Sequence, residues 1–138
     1  MNITAKFVSI DHDRKISISR EGKTQEVANL ILPTGVALGT AGAEYLLLAL
    51  VTCYSSNLYR EADKRGIGVE QLEVEVEGRF GVEGEPARSI VYRVILIADA
   101  PEQQLRELVN YVDRMAEIHN TLRLGLPVTL NRVEAITI

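Results

Sequence analysis

With 138 residues, 46% of them hydrophobic and 25% charged, the chain fits one domain, soluble and globular, able to bury a core without staples or metals. Its 15 basic and 19 acidic residues leave a net charge of −4, and aromatics are only 5% with no Trp. That excludes a phosphate-gripping, base-stacking surface, so nucleic acid is not an expected partner.

Ile3 to Ile10 places Ile3, Ala5 and Phe7 on one face, and His12-Asp13-Arg14 reads as the turn that follows. Ile16 and Ile18 alternate with Ser17 and Ser19. Glu21-Gly22 makes a second turn, and Val27 to Leu32 is a third, nearly continuous apolar run. Three short strands joined by tight polar turns predict an antiparallel meander. Pro33 to Gly42 contains three glycines and one proline and reads as a loop.

From Ala43 to Arg65 the pattern is helical. Lys64 and Arg65 suit the negative end of the helix dipole, and Gly66 suits the position just past its end. Its middle, Tyr45–Val51, is the longest uninterrupted apolar run and has no polar face. A helix apolar all round must be covered on several sides. A chain of this size has too little sheet for that, which points to a second subunit. The same run is far short of the roughly 20 residues a bilayer requires, so no membrane is expected.

Leu72, Val74 and Val76 alternate with Glu73, Glu75 and Glu77, and Phe80 and Val82 keep the phase. This predicts a half-buried strand with a solvated glutamate face. Gly81 to Ala87 is a turn and Ser89 to Ala98 the return strand. Asp99 and Glu102 form a capping-box-like helix start with Pro101 in the first turn. The helix that follows sets Leu105, Leu108, Val109, Val112, Met115 and Ala116 on one stripe. Pro127 stops further helix, and Val128 to Ile138 reads as a last strand. The order βββ-α-ββ-α-β, with strands and helices clustered, predicts an α+β fold with a largely antiparallel sheet.

Cys53 is the only thiol, so there is no internal disulfide; with no apolar signal segment at the N-terminus, the expected compartment is the cytoplasm. Two readings of Cys53 stand side by side. It is a small core residue made inert by burial, or a reactive thiol set up by Glu44, Tyr54 and the glycine-rich approach. His12 falls in a turn, and His119, after the second helix, either lines a pocket or fills one. One Cys and two distant His lack metal-ligand spacing, and no pattern asks for a cofactor.

The segment Gly42-Ala43-Glu44-Tyr45-Leu46-Leu47-Leu48-Ala49-Leu50-Val51-Thr52-Cys53 resembles the central-helix signature of the OsmC/Ohr family, in which a Glu precedes an L-L-x-A-type run ending in Cys. The similarity continues through Lys64-Arg65-Gly66-Ile67 and the Val- and Glu-rich strand. It resumes at Asn120-Thr121-Leu122-Arg123-Leu124-Gly125-Leu126-Pro127-Val128, close to the family's N-T-L-x-x-G-x-P-V, and so covers nearly the whole chain. The resemblance implies an OsmC-like fold in which antiparallel sheets of two chains wrap two central helices in an intertwined homodimer. It also implies reduction of an organic hydroperoxide. Cys53 matches the peroxidatic thiolate, and an Arg from the N-terminal region, Arg14 or Arg20, would stabilise it while held by Glu44.

The chain departs from the family pattern at three places. The resolving cysteine falls at Ala116, and the usual C-P-V is Ala116-Glu117-Ile118. The Arg-binding Glu usually stands where Ala43 stands, one residue before Glu44. Glu44 has the plainer reading of an acid in a first helical turn, and Arg14 and Arg20 that of solvated turn residues. Two functions follow. One is a one-cysteine thiol peroxidase of oxidative stress defence, its sulfenic acid resolved by an external thiol reductant. The other is a non-enzymatic dimer with a small-molecule pocket between subunits.

Overall fold

A computed structural model describes residues 2–10, 13–27 and 38–138, with the backbone alone at 7–10, 13–16 and 38–41. The chain forms two compact units, Met1–Gly42 and Ala43–Ile138.

In the first unit β1 (Ile3–Ile10), β2 (Asp13–Arg20) and β3 (Lys23–Val27) form an antiparallel sheet in the order β1-β2-β3. Asp13 and Arg14, expected in a turn, are instead strand residues paired with Ile10 and Ser9. β3 likewise begins at Lys23 rather than Val27, because ladder hydrogen bonds come from the backbone and polar side chains do not prevent them. Glu21-Gly22 is the turn expected, with φ of 48° and 78°. Two positive φ values match the twist of the flanking strands. Glu21 is an unusual residue there, and the N-terminus ties it down: its Oε1 accepts the Asn2 amide at 2.8 Å, and its own amide donates to the Asn2 carbonyl at 3.3 Å. His12, the Ala28–Leu32 part of the third run and Pro33–Ala37 lie outside the described residues.

Helix α1 (Leu38–Lys64) begins five residues before Ala43, so Leu38–Gly42 are helical where a loop was expected. A glycine costs a helix about 1 kcal/mol, but extending an existing helix gains one hydrogen bond for each residue fixed. The other end follows the prediction. Gly66 takes φ 65°, and the Ile67 amide reaches back to the Ala62 carbonyl at 2.9 Å.

The second sheet runs β4 (Val69–Arg79), β5 (Ser89–Ala98) and β6 (Val128–Thr137), in that order. β4 and β5 are antiparallel, whereas β5 and β6 are parallel, a departure from the antiparallel pairing expected. A crossover through α2 (Glu102–Met115) and α3 (Glu117–Arg123) makes that geometry available. β4 stops at Arg79, where the Arg88 amide closes the turn, leaving Phe80 and Val82 exposed despite their phase. The capping box is not formed. Pro101 occupies the N-cap with no side-chain cap bond, and the Asp99 amide donates instead to the Gly68 carbonyl at 2.9 Å. The stripe expected on a single helix is interrupted at Ala116, whose ψ of 112° is extended, and α3 restarts immediately after it.

The core lies between the sheet and the helices. β5 turns Ile90, Tyr92, Val94, Leu96 and Ala98 to one face, all buried. α1 meets them with Leu50, Tyr54, Leu58 and Ala62 at four-residue steps, and α2 adds Leu105, Leu108, Val109 and Val112. Burying each large side chain contributes roughly 1.5–3 kcal/mol. Of Tyr45–Val51, by contrast, only Leu50 is fully buried, and Leu48 is 47% exposed. Among the described residues, no helix is long and apolar enough to cross a membrane.

Candidate functional site

Cys53 precedes the core residue Tyr54 and so begins a neighbouring lane on α1: Cys53, Asn57, Glu61. Residues four apart lie one above the other on a helix. Cys53 is half-buried, whereas Asn57 and Glu61 are 3% and 5% exposed. Glu61 is paired with Lys64 at 2.9 Å. Asn57 is the hub of the rest. Its Nδ2 donates to Glu117 Oε2 at 2.9 Å and lies 3.6 Å from Cys53 Sγ, while Arg60 donates to its Oδ1. The Cys53 thiol in turn donates to the same Glu117 Oε2 at 3.6 Å.

Glu117 reaches the thiol because of the break at Ala116. The chain is extended there, and Glu117 is the first residue of the restarted helix, so its carboxylate and the start of α3 face α1. The electrostatics follow from this placement. Burial pushes the Cys53 thiol above its ordinary value; the backbone amide of Ile118 pulls it down, and the Glu117 charge adds to the rise. The Asn57 hydrogen bond holds the Glu117 carboxyl below the usual carboxylate range, helped by its own amide, by the thiol and by Arg60. The resting pair is therefore a thiol beside a carboxylate. The thiolate is the nucleophile, so within this unit the site is set to hold a proton on sulfur and an acceptor next to it.

The other predicted residues are placed as follows. Glu44 is exposed on the second turn of α1. The first turn contains no acid, so the helix-dipole reading of Glu44 is overturned by the earlier start at Leu38. Nine residues at ~100° and ~1.5 Å each put it about 13 Å from Cys53 along the axis and on the opposite face. The two side chains are not brought together on this helix. Arg14 lies in β2 with its side chain outside the described residues, and Arg20 is exposed at the end of the same strand. Ala116, where the resemblance puts the resolving thiol, is fully buried.

His119 fills the core rather than lining a pocket. It is fully buried, its ring 4.9 Å from that of Tyr92 and 6.1 Å from that of Tyr54, and neither nitrogen has a hydrogen-bond partner among the described residues. Burial, with a smaller contribution from Arg123, pushes its pKa down to about 4, so it is neutral. Glu73 and Glu75 form the solvated strand face expected, with Arg93 bridging them at 3.7 and 2.9 Å.

The sequence reading missed Asn57, Arg60 and Glu117. The four-residue step from Cys53 to Asn57 was available as a signal, as was a charged residue at the position after the missing cysteine. It also left open what the Asn120–Arg123 motif does. Here it is a latch: Arg123 donates to the Val128 and Asp113 carbonyls at 2.9 Å, to Asn120 Oδ1 at 3.0 Å and to Asp113 Oδ1 at 2.7 Å. Among the described residues no cluster of three or more His, Cys, Asp or Glu is placed to hold a metal ion.

Residues 35–131 match the family model described as OsmC-like protein. Among proteins with curated functions no match is found. Solved structures resemble the chain throughout. An OsmC-like protein from Mycoplasma pneumoniae is 21% identical with a TM-score of 0.68, over 96% of either chain. An organic hydroperoxide resistance protein OsmC from Legionella pneumophila is 14% identical with a TM-score of 0.63, over 97% of either chain. An organic hydroperoxide resistance protein from Elizabethkingia anophelis is 13% identical with a TM-score of 0.63, over 97% of this chain and 96% of that one. At these identities the likeness is one of fold.

Proposed function

The chain belongs to the OsmC-like protein family, and on that premise we propose that it is a one-cysteine, thiol-dependent reductase of organic hydroperoxides, with Cys53 as the peroxidatic residue. The observation that carries this reading is the half-buried thiol, hydrogen-bonded to Glu117 and Asn57 on a polar lane beside the core. A purely structural core cysteine needs neither access nor polar partners. The names of the Legionella and Elizabethkingia proteins support the same substrate class.

In the reaction, Cys53 sulfur attacks the terminal oxygen of R–O–OH. An S–O bond forms and the O–O bond breaks. Sulfur is oxidised by two electrons to a sulfenic acid, and the alkoxide takes a proton and leaves as the alcohol. With no second cysteine in the chain, an external thiol condenses with the sulfenic acid and releases water. A second equivalent of that thiol then frees Cys53 as its own disulfide forms. By the family resemblance, the counter-charge for the thiolate falls to an N-terminal arginine, Arg14 or Arg20. Glu44 leaves α1 on the face opposite the thiol, so it does not hold that arginine against the Cys53 thiolate of its own helix. The cytoplasm, where thiols are kept reduced, suits this cycle.

The working form is a homodimer. Leu48 and its partly exposed neighbours in Tyr45–Val51 are an apolar stretch that a second copy of the chain covers. Sedimentation equilibrium at micromolar concentration should give twice the chain mass; a stable, folded monomer overturns the dimer.

A second reading is favoured by one observation, the burial that, with the Glu117 charge beside it, keeps the proton on sulfur. It is a non-enzymatic OsmC-like dimer with a small-molecule pocket between subunits. Treatment with an organic hydroperoxide and a dimedone-type probe separates the two. The reductase gives one labelled sulfenic acid per chain, lost in Cys53→Ser. Labelling no faster than that of a small-molecule thiol moves the assignment to the binding protein.

A further inference from the structure

We infer that Glu117 is the proton-handling residue of this site, taking the Cys53 proton as sulfur attacks and passing it to the departing alkoxide. The inference rests on the peroxidatic reading of Cys53 and deepens it. The carboxylate stands beside the position where the family pattern has a resolving cysteine, and it cannot do that cysteine's work, because it forms no disulfide. What it can do is acid–base chemistry, and its geometry suits that role. A single oxygen, Oε2, accepts both the thiol at 3.6 Å and the Asn57 amide at 2.9 Å. Asn57 is almost wholly buried and is itself held by Arg60, and its amide reaches both the acceptor and the sulfur, so the two are fixed against each other. Asn57 is thus a positioning residue and Glu117 the group that meets the reacting atoms.

The proton is conserved through the step. Cys53–SH and Glu117–COO⁻ become thiolate and carboxylic acid. The thiolate forms the S–O bond and expels RO⁻. That alkoxide takes the proton from the Glu117 carboxyl, leaving Cys53–SOH, ROH and the original carboxylate. No further co-reactant is required. A carboxylic acid is a far stronger acid than the alcohol being formed, so the second transfer is downhill. The first is uphill, since the site favours the proton on sulfur, and general acid–base catalysis of this kind typically contributes 10²–10⁴-fold.

Among the described residues, the groups facing the thiol are few. On α3 they are Glu117 and the backbone amides of Glu117 and Ile118. On α1 they are Asn57 and, behind it, Arg60. His119, also on α3, is packed on Tyr54 and Tyr92 instead.

The test rests on two rates that a merely electrostatic role moves together. Glu117→Gln removes a negative charge beside the sulfur, so the thiol becomes more acidic and iodoacetamide alkylation at pH 7 rises several-fold. If Glu117 handles the proton, the rate of sulfenic acid formation with an organic hydroperoxide, expressed per thiolate, falls about 10–100-fold in the same variant. Glu117→Asp, which keeps a carboxylate, recovers part of the second rate. Equal peroxide rates per thiolate in the wild type and Glu117→Gln overturn the inference and leave Cys53 as the peroxidatic residue. A wild type that hydroperoxide does not oxidise overturns the peroxidatic reading and this inference with it. If Glu117→Gln does not fold, the wild-type pH profiles decide. Peroxide oxidation that persists below the pH at which alkylation fades supports the proton transfer, and superimposable profiles overturn it.

Discussion

Arg123→Met is expected to lower the free energy of unfolding by about 2–4 kcal/mol while leaving the secondary structure content unchanged. Arg123 uses four donor contacts to hold three elements together. Its Nε binds the Val128 carbonyl at the start of β6, and one terminal nitrogen spans the Asp113 carbonyl on α2 and the Asn120 side chain on α3. The other meets Asp113 Oδ1 at 2.7 Å, where the Tyr92 hydroxyl from β5 also donates. The two charged side chains are 27% and 24% exposed, too enclosed to be a surface pair that water screens to nothing and too open for the full penalty of a buried one. Methionine keeps the apolar stem, so the loss measures the guanidinium rather than packing. Arg123→Lys should recover little of it, because an ammonium cannot fork between a carboxylate and three separate oxygens. Urea denaturation gives the answer: the midpoint should fall with the m-value unchanged. A loss within about 0.5 kcal/mol, the range of an ordinary surface substitution, would show that the latch holds nothing.

That latch also shows where sequence and structure part. Strand alternation was legible wherever one face of a sheet is buried: β5 was found to the residue, and the Leu72–Val76 alternation was found inside β4. Helix ends were legible where chemistry marks them, as at Lys64-Arg65-Gly66, and were lost where it does not. Glycines 39 and 42 read as breakers, yet they lie in α1 because a helix already formed extends cheaply through them. The break at Ala116 had no signal at all. Alanine is the best helix former, and what goes with the turn there is tertiary: Arg123 bound back to Asp113 and across to the Val128 carbonyl. The site inherits that blindness. Cys53 was found because its type and its helix are distinctive, whereas Glu117 became a neighbour of the thiol only through a bend that no local propensity encodes. Tertiary contacts decide such positions, and a single sequence records them as one more exposed glutamate.

Stability is expected to fall by about 3 kcal/mol between pH 6.5 and pH 4 on account of His119 alone. In the unfolded chain its imidazole takes up a proton near 6.5; in the folded protein it does so only at about 4. Between those values the unfolded state binds more protons, so lowering the pH draws the protein toward it. The stability is therefore complete above pH 6.5, is lost progressively as the pH falls, and stops changing once both states are protonated. The cause is geometric: the ring is fully buried, lies against Tyr54 and Tyr92, and among the described residues has no hydrogen-bond partner at either nitrogen to share a charge with. Asp113 favours the charged form, but Arg123 and burial outweigh it. Urea melts of the wild type and of His119→Leu across pH 4–7 isolate the effect. Carboxylates such as Glu117, held below their ordinary range, lose their share mainly at lower pH and do so in both proteins. Leucine is close to histidine in volume, so the variant forfeits ring contacts at every pH but should show a flatter curve between 4 and 6.5. Parallel curves for the two proteins through that window would mean that His119 is not the group that titrates.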